Sequence, residues 1–279
     1  MYWSGKSLTC IILVIGISSC KKEPAKPAPA NESKCVIKGE TTGLTGNERS
    51  MQYSFDDKGR LSTVKVYNAV GNLESTSTIS DLAVTHTFPG GGSTTYLYDA
   101  NIFDGMPTKA NVSLTSSNGV EQRNYYTYFF FYDARKRLIK VGQQTDHVAG
   151  DYEYDVNITY NDKDNVTALQ YEFTTGPRAP SPPTTVAAYD DKPTPYAAIK
   201  NWKFLSINFA WTNYDPEPIL TALSKNNPLD YTLTSGTTVW KREMVYTYNA
   251  DGFPTERKNT NRVGGGASTF LQSFDYNCK

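Results

Sequence analysis

Residues 53–61 read YSFDDKGRL, and variants of the phrase return as YNAVGNL at 67–73, FYDARKRL at 131–138, TYNDKDNV at 159–166 and TYNADGFP at 247–254. Aligned on the aromatic, Phe55, Tyr67, Tyr132, Tyr160 and Tyr248 are followed by Asp56, Asn68, Asp133, Asn161 and Asn249. A short side chain with an acceptor oxygen can bond the backbone two residues on and start a type I turn. Four residues after the aromatic, Gly59, Gly71 and Gly252 supply the left-handed conformation that ends such a turn in a bulge. Lys136 and Asp164 hold that place in the other two copies. Asp tolerates it, whereas Lys should carry roughly 1 kcal/mol of strain. A sixth copy opens at Tyr98-Asp99-Ala100 and takes two extra residues to reach Gly105-Met106-Pro107.

The flanks alternate with period two. Tyr53 and Phe55 lead into one turn and Leu61, Val64 and Val66 leave it, while Tyr126, Tyr128, Phe130 and Tyr132 lead into another. Alternating aromatic and aliphatic residues around a tight turn predict a β-hairpin. PGGG at 89–92, SSNG at 116–119 and GGG at 264–266 punctuate further strand-like runs. Hairpin connections imply antiparallel pairing. The fold class expected is all-β: an antiparallel meander of repeated hairpins forming a large curved sheet or a two-layer sheet, with one short helix.

Composition agrees. Tyr numbers 20, aromatics make up 13% and the hydrophobic fraction is only 38%, as suits strands with one wet face. Lys plus Arg equals Asp plus Glu at 28 each, so no charge excess steers the chain to nucleic acid.

The meander is interrupted once. Residues 176–196, beginning GPRAPSPPTTVAAYDDKPTP, are too Pro-rich for a strand and read as a long excursion or a hinge between two half-sheets. The segment 202–211 could be strand or helix by periodicity, and its content favours a buried strand or covering element. DPEPILTALSKNNP follows at 215–228, with Asp215 as N-cap candidate, Pro216 at the first helical position, and Ile219, Leu220 and Leu223 on one face. A short helix near 216–225 is expected.

The N-terminus reads as an address. Lys6 precedes an apolar run from Cys10 to Ile17, too short to span a bilayer, and then small residues: a secretory signal peptide over residues 1–19. Ile17-Ser18-Ser19-Cys20 resembles the lipobox of bacterial lipoproteins. That resemblance implies cleavage before Cys20 and acylation of Cys20, and several acyl chains anchor a protein stably. Residues 20–34, the acylated Cys20 and a Pro- and Ala-rich stretch, would be a tether, leaving 35–279 as a single all-β domain. Lys21-Lys22-Glu23 resembles in part the export signals of surface lipoproteins. With Cys10 lost and Cys20 acylated, Cys35 and Cys278 remain, in an export setting that permits disulfides. With no third cysteine and no nearby histidine, a structural disulfide is favoured over a reactive or metal-binding pair.

The repeated phrase resembles the YD repeat of wall- and toxin-associated proteins. With the lipobox and the segment Leu223-Ser224-Lys225-Asn226-Asn227-Pro228 ahead of the closing hairpin, the chain looks like exported lipoproteins of Bacteroidota-type bacteria that carry a domain of unknown function. The resemblance spans most of 35–279 and implies an all-β fold and an exported location, with no activity or site residues attached.

Catalytic signatures are absent from the sequence. His86 and His147 stand outside triad or metal spacing and read as exposed strand residues. No nucleophile elbow, phosphate loop or dinucleotide fingerprint occurs. Asp56, Asp133 and Asp251 have turn positions to explain them, and 161–165 lacks the glycine and distant glutamate of a calcium loop. No catalytic residue, metal or cofactor is expected. Trp202, Trp211 and Trp240 are the candidate ligand-stacking residues, weighed against ordinary packing. The expected function is a lipid-anchored envelope protein of binding or scaffolding type. It would be held at the outer membrane facing periplasm or surface, with a glycan or envelope protein as partner and no nucleic acid. The alternatives are a glycan-binding surface lipoprotein of a polysaccharide-uptake system and, last, a polysaccharide-active hydrolase.

Overall fold

The five turns are built alike in the computed structural model, which describes residues 35–44, 47–145, 153–173, 181–200, 202–204 and 216–278. Oδ1 of Asp56 accepts the backbone N–H groups of Lys58 and Arg60 at 3.0 and 2.8 Å. Asn68, Asp133, Asn161 and Asn249 each accept from the residues two and four further on in the same way. The residue four after the aromatic has φ of 71°, 82° and 84° at Gly59, Gly71 and Gly252, and 62° and 65° at Lys136 and Asp164. Every aromatic then pairs with the residue six further on, Phe55 with Leu61 and Tyr248 with Pro254 among them, beside a register shift. The sixth copy differs: Asp99 instead accepts Thr108 N–H and Oγ1–H at 2.9 and 2.5 Å.

These turns join β1 (Cys35–Leu44), β2 (Asn47–Phe55), β3 (Leu61–Tyr67), β4 (Leu73–Ile79), β5 (Ala83–Thr87), β6 (Ser93–Tyr98), β7 (Lys109–Thr115), β8 (Glu121–Tyr132) and β9 (Leu138–Thr145). There follow β10 (Tyr154–Tyr160), β11 (Val166–Phe173), β12 (Thr184–Thr185), β13 (Tyr189–Pro193), helix α1 (Glu217–Leu223), β14 (Asn226–Pro228), β15 (Asp230–Ser235), β16 (Thr238–Tyr248), β17 (Pro254–Val263) and β18 (Gly266–Cys278). Each strand from β1 to β11 pairs antiparallel with the next. β12 passes to β15, β15–β18 continue the meander, and β18 pairs with β1. Sixteen strands thus close into a barrel, and β13 with β14 forms a separate two-stranded sheet.

Closure corrects the expected open curved or two-layer sheet. The hairpin signals give each strand its neighbours, but the seam from Cys35↔Cys278 to Gly43↔Leu271 joins the two ends of the meander. No local turn announces such a pairing. A disulfide links Cys35 to Cys278, 243 residues apart, at the start of this seam.

Successive hairpins point to opposite ends of the barrel. The copies beginning at Phe55, Tyr98, Tyr132, Tyr160 and Tyr248 lie at the disulfide end; only the Tyr67 copy lies at the other. Tyr hydroxyls knit these turns together. Tyr132 donates to the carbonyl of Pro107 at 2.6 Å, Tyr160 to that of Leu138 at 2.8 Å and Tyr276 to that of Pro254 at 2.9 Å. Arg60 and Arg137, five residues after their aromatics, return Nε to Asp56 and Asp133 at 2.8 and 2.7 Å.

Alternation divides the wall into two faces. Tyr53, Val64, Val84, Tyr96, Tyr98, Val112, Tyr128, Phe130, Val141, Val156 and Leu169 point inward and are buried in one core. The outward rows carry Lys65, Thr85, Asn111, Lys140, Asp155, Lys241, Glu243, Lys258 and Arg262.

The Pro-rich excursion is not a hinge between half-sheets. Thr184–Thr185 is itself a barrel strand, short enough to evade the surrounding prolines, and β13 follows. Residues 202–204 are helical rather than extended. The expected helix forms at Glu217–Leu223 with Pro216 at the cap and Ile219, Leu220 and Thr221 buried. Asp215 lies outside the described residues.

Two expectations follow. Lys136→Gly should raise stability by about 1 kcal/mol, because glycine adopts φ of 62° without strain, while Gly59→Ala should lower it by a similar amount. Denaturant midpoints of both variants measure this. Reducing Cys35–Cys278, which closes so long a loop, should lower the stability of the barrel by roughly 5 kcal/mol on the chain-entropy model, read as the midpoint difference with and without reductant.

Candidate functional site

Described residues of the connection between β12 and β15, among them Ile199, Trp202, Phe204, Ile219 and Leu220, pack into the core of the barrel. Phe204 is fully buried, its ring 6.0 Å from Tyr98 and 5.7 Å from Phe130, and the Tyr98 hydroxyl donates to its carbonyl at 3.1 Å. Trp202 stacks on Tyr196 with centroids 4.5 Å apart and meets Tyr53 edge-on at 6.0 Å. Asn165 and Asn226 exchange hydrogen bonds at 3.1 and 2.9 Å, and Ser224 Oγ accepts the Val166 N–H at 3.0 Å. The described residues of the inserted segment are therefore bonded to the wall at both ends.

Its charged contact lies deeper. The Glu217 carboxylate at the start of α1 accepts from Arg257 on β17 through Oε1 and from Arg242 on β16 through Oε2. Arg257 also donates to Gln272 Oε1 on β18, and Gln272 Nε2 donates to Glu40 Oε2 on β1 at 3.3 Å. Tyr196 gives its hydroxyl proton to the same Glu40 oxygen. Four consecutive wall strands and two points of the inserted segment thus share one polar network. It surrounds a cavity of about 280 Å³ whose other walls include Tyr53, Trp202, Thr221 and Phe270.

The two carboxylates are driven in opposite directions. Burial raises the Glu40 pKa above the ordinary carboxylate value, against the hydrogen bond from Tyr196 and the charge of Arg257. Burial pushes Glu217 up as well, but Arg257 and Arg242 outweigh it and hold Glu217 below its usual value. Divergent carboxylates are what acid–base chemistry requires. Here, however, both Glu217 oxygens are taken by guanidinium groups. The arrangement ties α1 to β16 and β17.

The sequence-derived candidates scatter. Trp202 is buried in the interior, Trp240 on β16 is 46% exposed near the opposite end, and Trp211 lies outside the described residues. No row of three indoles assembles from the described pair. Cys20 and His147 also lie outside the described residues. His86 is buried, not exposed, with Nδ1 2.7 Å from Ser77 Oγ, because the β4–β5 register turns both inward. Among the described residues, one group of metal-type ligands gathers, Cys35, Cys278 and Asp251, and its sulfurs are bonded to each other. Glu40, Arg257 and Gln272 escaped the sequence reading. A single charge in an alternating strand looks the same whether it faces water or the interior, and only their shared row distinguishes them.

No family model matches the chain, and no curated protein does. Among solved structures it is similar to a porin-like protein from Bacteroides uniformis, at 16% identity and a TM-score of 0.57, covering 89% of this chain and 98% of that one. It is also similar to a porin-like protein from Bacteroides vulgatus, at 9% identity and a TM-score of 0.50, covering 87% and 98%. At these identities the likeness is one of fold. Among the described residues no helix is long and apolar enough to cross a membrane.

The buried imidazole supplies a test of the interior. Burial depresses the His86 pKa from 6.5 to about 4. Between those values the unfolded chain takes up a proton that the folded one refuses, so stability present above pH 6.5 falls as the pH drops toward 4. The loss should approach about 3 kcal/mol. His86→Gln should show that much less decline between pH 7 and pH 4 when denaturant midpoints are compared with wild type.

Proposed function

We propose that the chain is an exported, lipid-anchored cell-envelope protein whose barrel is a binding or scaffolding body held beside the membrane, neither a pore nor a catalyst. The polarity of the wall carries this reading. A membrane-spanning barrel shows lipid an apolar band and keeps its polar residues inside. Here Lys65, Lys140, Lys241, Glu243, Lys258 and Arg262 stand on the outward rows, and Tyr, Val and Phe fill the inside. Basic residues at the bilayer midplane cost about 2–4 kcal/mol each. Such a wall suits water. The inserted segment occupies the interior that a channel would need open.

The lipobox-like Ile17-Ser18-Ser19-Cys20 supports the anchor. A tether from Cys20 to Cys35, at about 3 Å per residue, reaches roughly 40 Å and joins the barrel at its disulfide end. That end, with most of the Asp/Asn-capped turns, would face the bilayer, and the opposite loops would face away. Against catalysis stands the engagement of both Glu217 oxygens.

Cys20→Ala should move the protein from the detergent phase to the aqueous phase in a cloud-point partition and remove the lipid mass from its N-terminal peptide. Wild-type protein added to a planar bilayer should give no conductance steps. Single-channel steps, or a Cys20→Ala protein that stays in solution only with detergent, would overturn the reading.

A further inference from the structure

The cavity beneath the inserted segment is built for something other than the protein's own side chains. Thr221 Oγ1 and Arg257 Nε make no hydrogen bond within the structure, and the residues are 3% exposed. Leaving such atoms dry is expensive, at about 1–3 kcal/mol apiece. A bound polar group would satisfy them.

Charge narrows the class. The cavity's two cations, Arg242 and Arg257, are matched by Glu217 and Glu40, and both guanidinium groups already donate to Glu217. An anion would have to break that bridge. With the charges matched, what is left over is a guanidinium N–H, a hydroxyl that can donate and accept, and the Glu40 carboxylate. Opposite these lie Tyr53, Trp202 and Phe270. Hydroxyls that donate and accept along one edge, with C–H groups on a flat face, describe a sugar ring. The volume of about 280 Å³ is at the small end for ligand pockets, so it holds one ring and no chain. Phe270 and Arg242, on its rim, are half-buried, so the cavity meets solvent there.

We infer that this cavity binds a single neutral pyranose, its C–H face against Tyr53 and Trp202 and its hydroxyls bonded to Thr221, Arg257 and Glu40. The inference rests on the reading of the barrel as a binding body. That reading is tested by partition and conductance, neither of which involves sugar.

Isothermal titration of the full-length protein with D-glucose, D-galactose, D-mannose and N-acetyl-D-glucosamine at millimolar concentration tests it. At least one should give saturable heat with one site per chain. Thr221→Val should weaken that binding about tenfold while leaving the melting temperature unchanged or higher, since the hydroxyl has no protein partner to lose. Thr221→Ser, which keeps the hydroxyl, should bind within about twofold of wild type. Thr221→Ala gives the same loss of binding should valine disturb the fold. Absence of saturable heat with all four sugars overturns the proposal, as does wild-type affinity in the variants lacking the hydroxyl. Saturable binding of acetate that depends on Thr221 would show a carboxylate site instead. Hydrolysis of nitrophenyl pyranosides lost in Glu40→Gln would show a catalytic one.

Discussion

The barrel depends on the pairing of its first strand with its last. Every other wall contact except the β12–β15 step joins strands that are consecutive in the chain. Those contacts are made by neighbours over short loops, where closure entropy is small. The seam from Cys35↔Cys278 to Gly43↔Leu271 instead brings together the two ends of the domain, with Cys35 and Cys278 243 residues apart. Without it β1 and β18 would be open edges, a standing invitation to pair with another chain. The interior network would also come apart, because Glu40 stands on one side of the seam and Gln272 and Arg257 on the other. The disulfide sits where this contact begins.

Once closed, the wall must choose which face it hides. The same two-residue alternation serves a lipid-facing barrel and a water-facing one, and the likeness to porin-like folds does not distinguish them. The side chains do. Stacked Tyr96–Tyr128 and Tyr98–Phe130 pairs run across the inside, with Val64, Val84, Val112 and Val156 around them, while the outside carries threonines and charges together with Leu97, Phe131, Val245 and Leu271. Tyrosine suits this interior because its ring packs and its hydroxyl can still reach a carbonyl, as at Tyr98, Tyr132 and Tyr160.

The inserted segment completes the packing and brings its own charge. Burying Glu217 between two arginines is defensible only because both carboxylate oxygens and the neighbouring amide are engaged; a buried pair short of partners would destabilise the fold. That the same region leaves Thr221, Asn259 and one nitrogen of Arg257 unsatisfied stands out against this care. Two of these atoms, Thr221 Oγ1 and Arg257 Nε, line the cavity that the charged network surrounds.

The hairpins were legible in the sequence because each is a local affair. An aromatic, an Asp or Asn, and a residue tolerant of positive φ within five positions determine a turn and its register by side-chain-to-backbone bonds that reach no further than four residues. The disulfide was legible only on the reading that Cys10 leaves with a signal peptide and Cys20 carries lipid, which leaves Cys35 and Cys278 to pair. The closed barrel, the inward turn of His86 and the cavity were decided by tertiary structure. They depend on which ends of the meander meet and on which side of the wall a residue falls. A one-residue shift in register would send Glu40, Arg257 and Gln272 out into water. No short stretch of sequence carries that information, because it belongs to strands at the two ends of the chain paired at once.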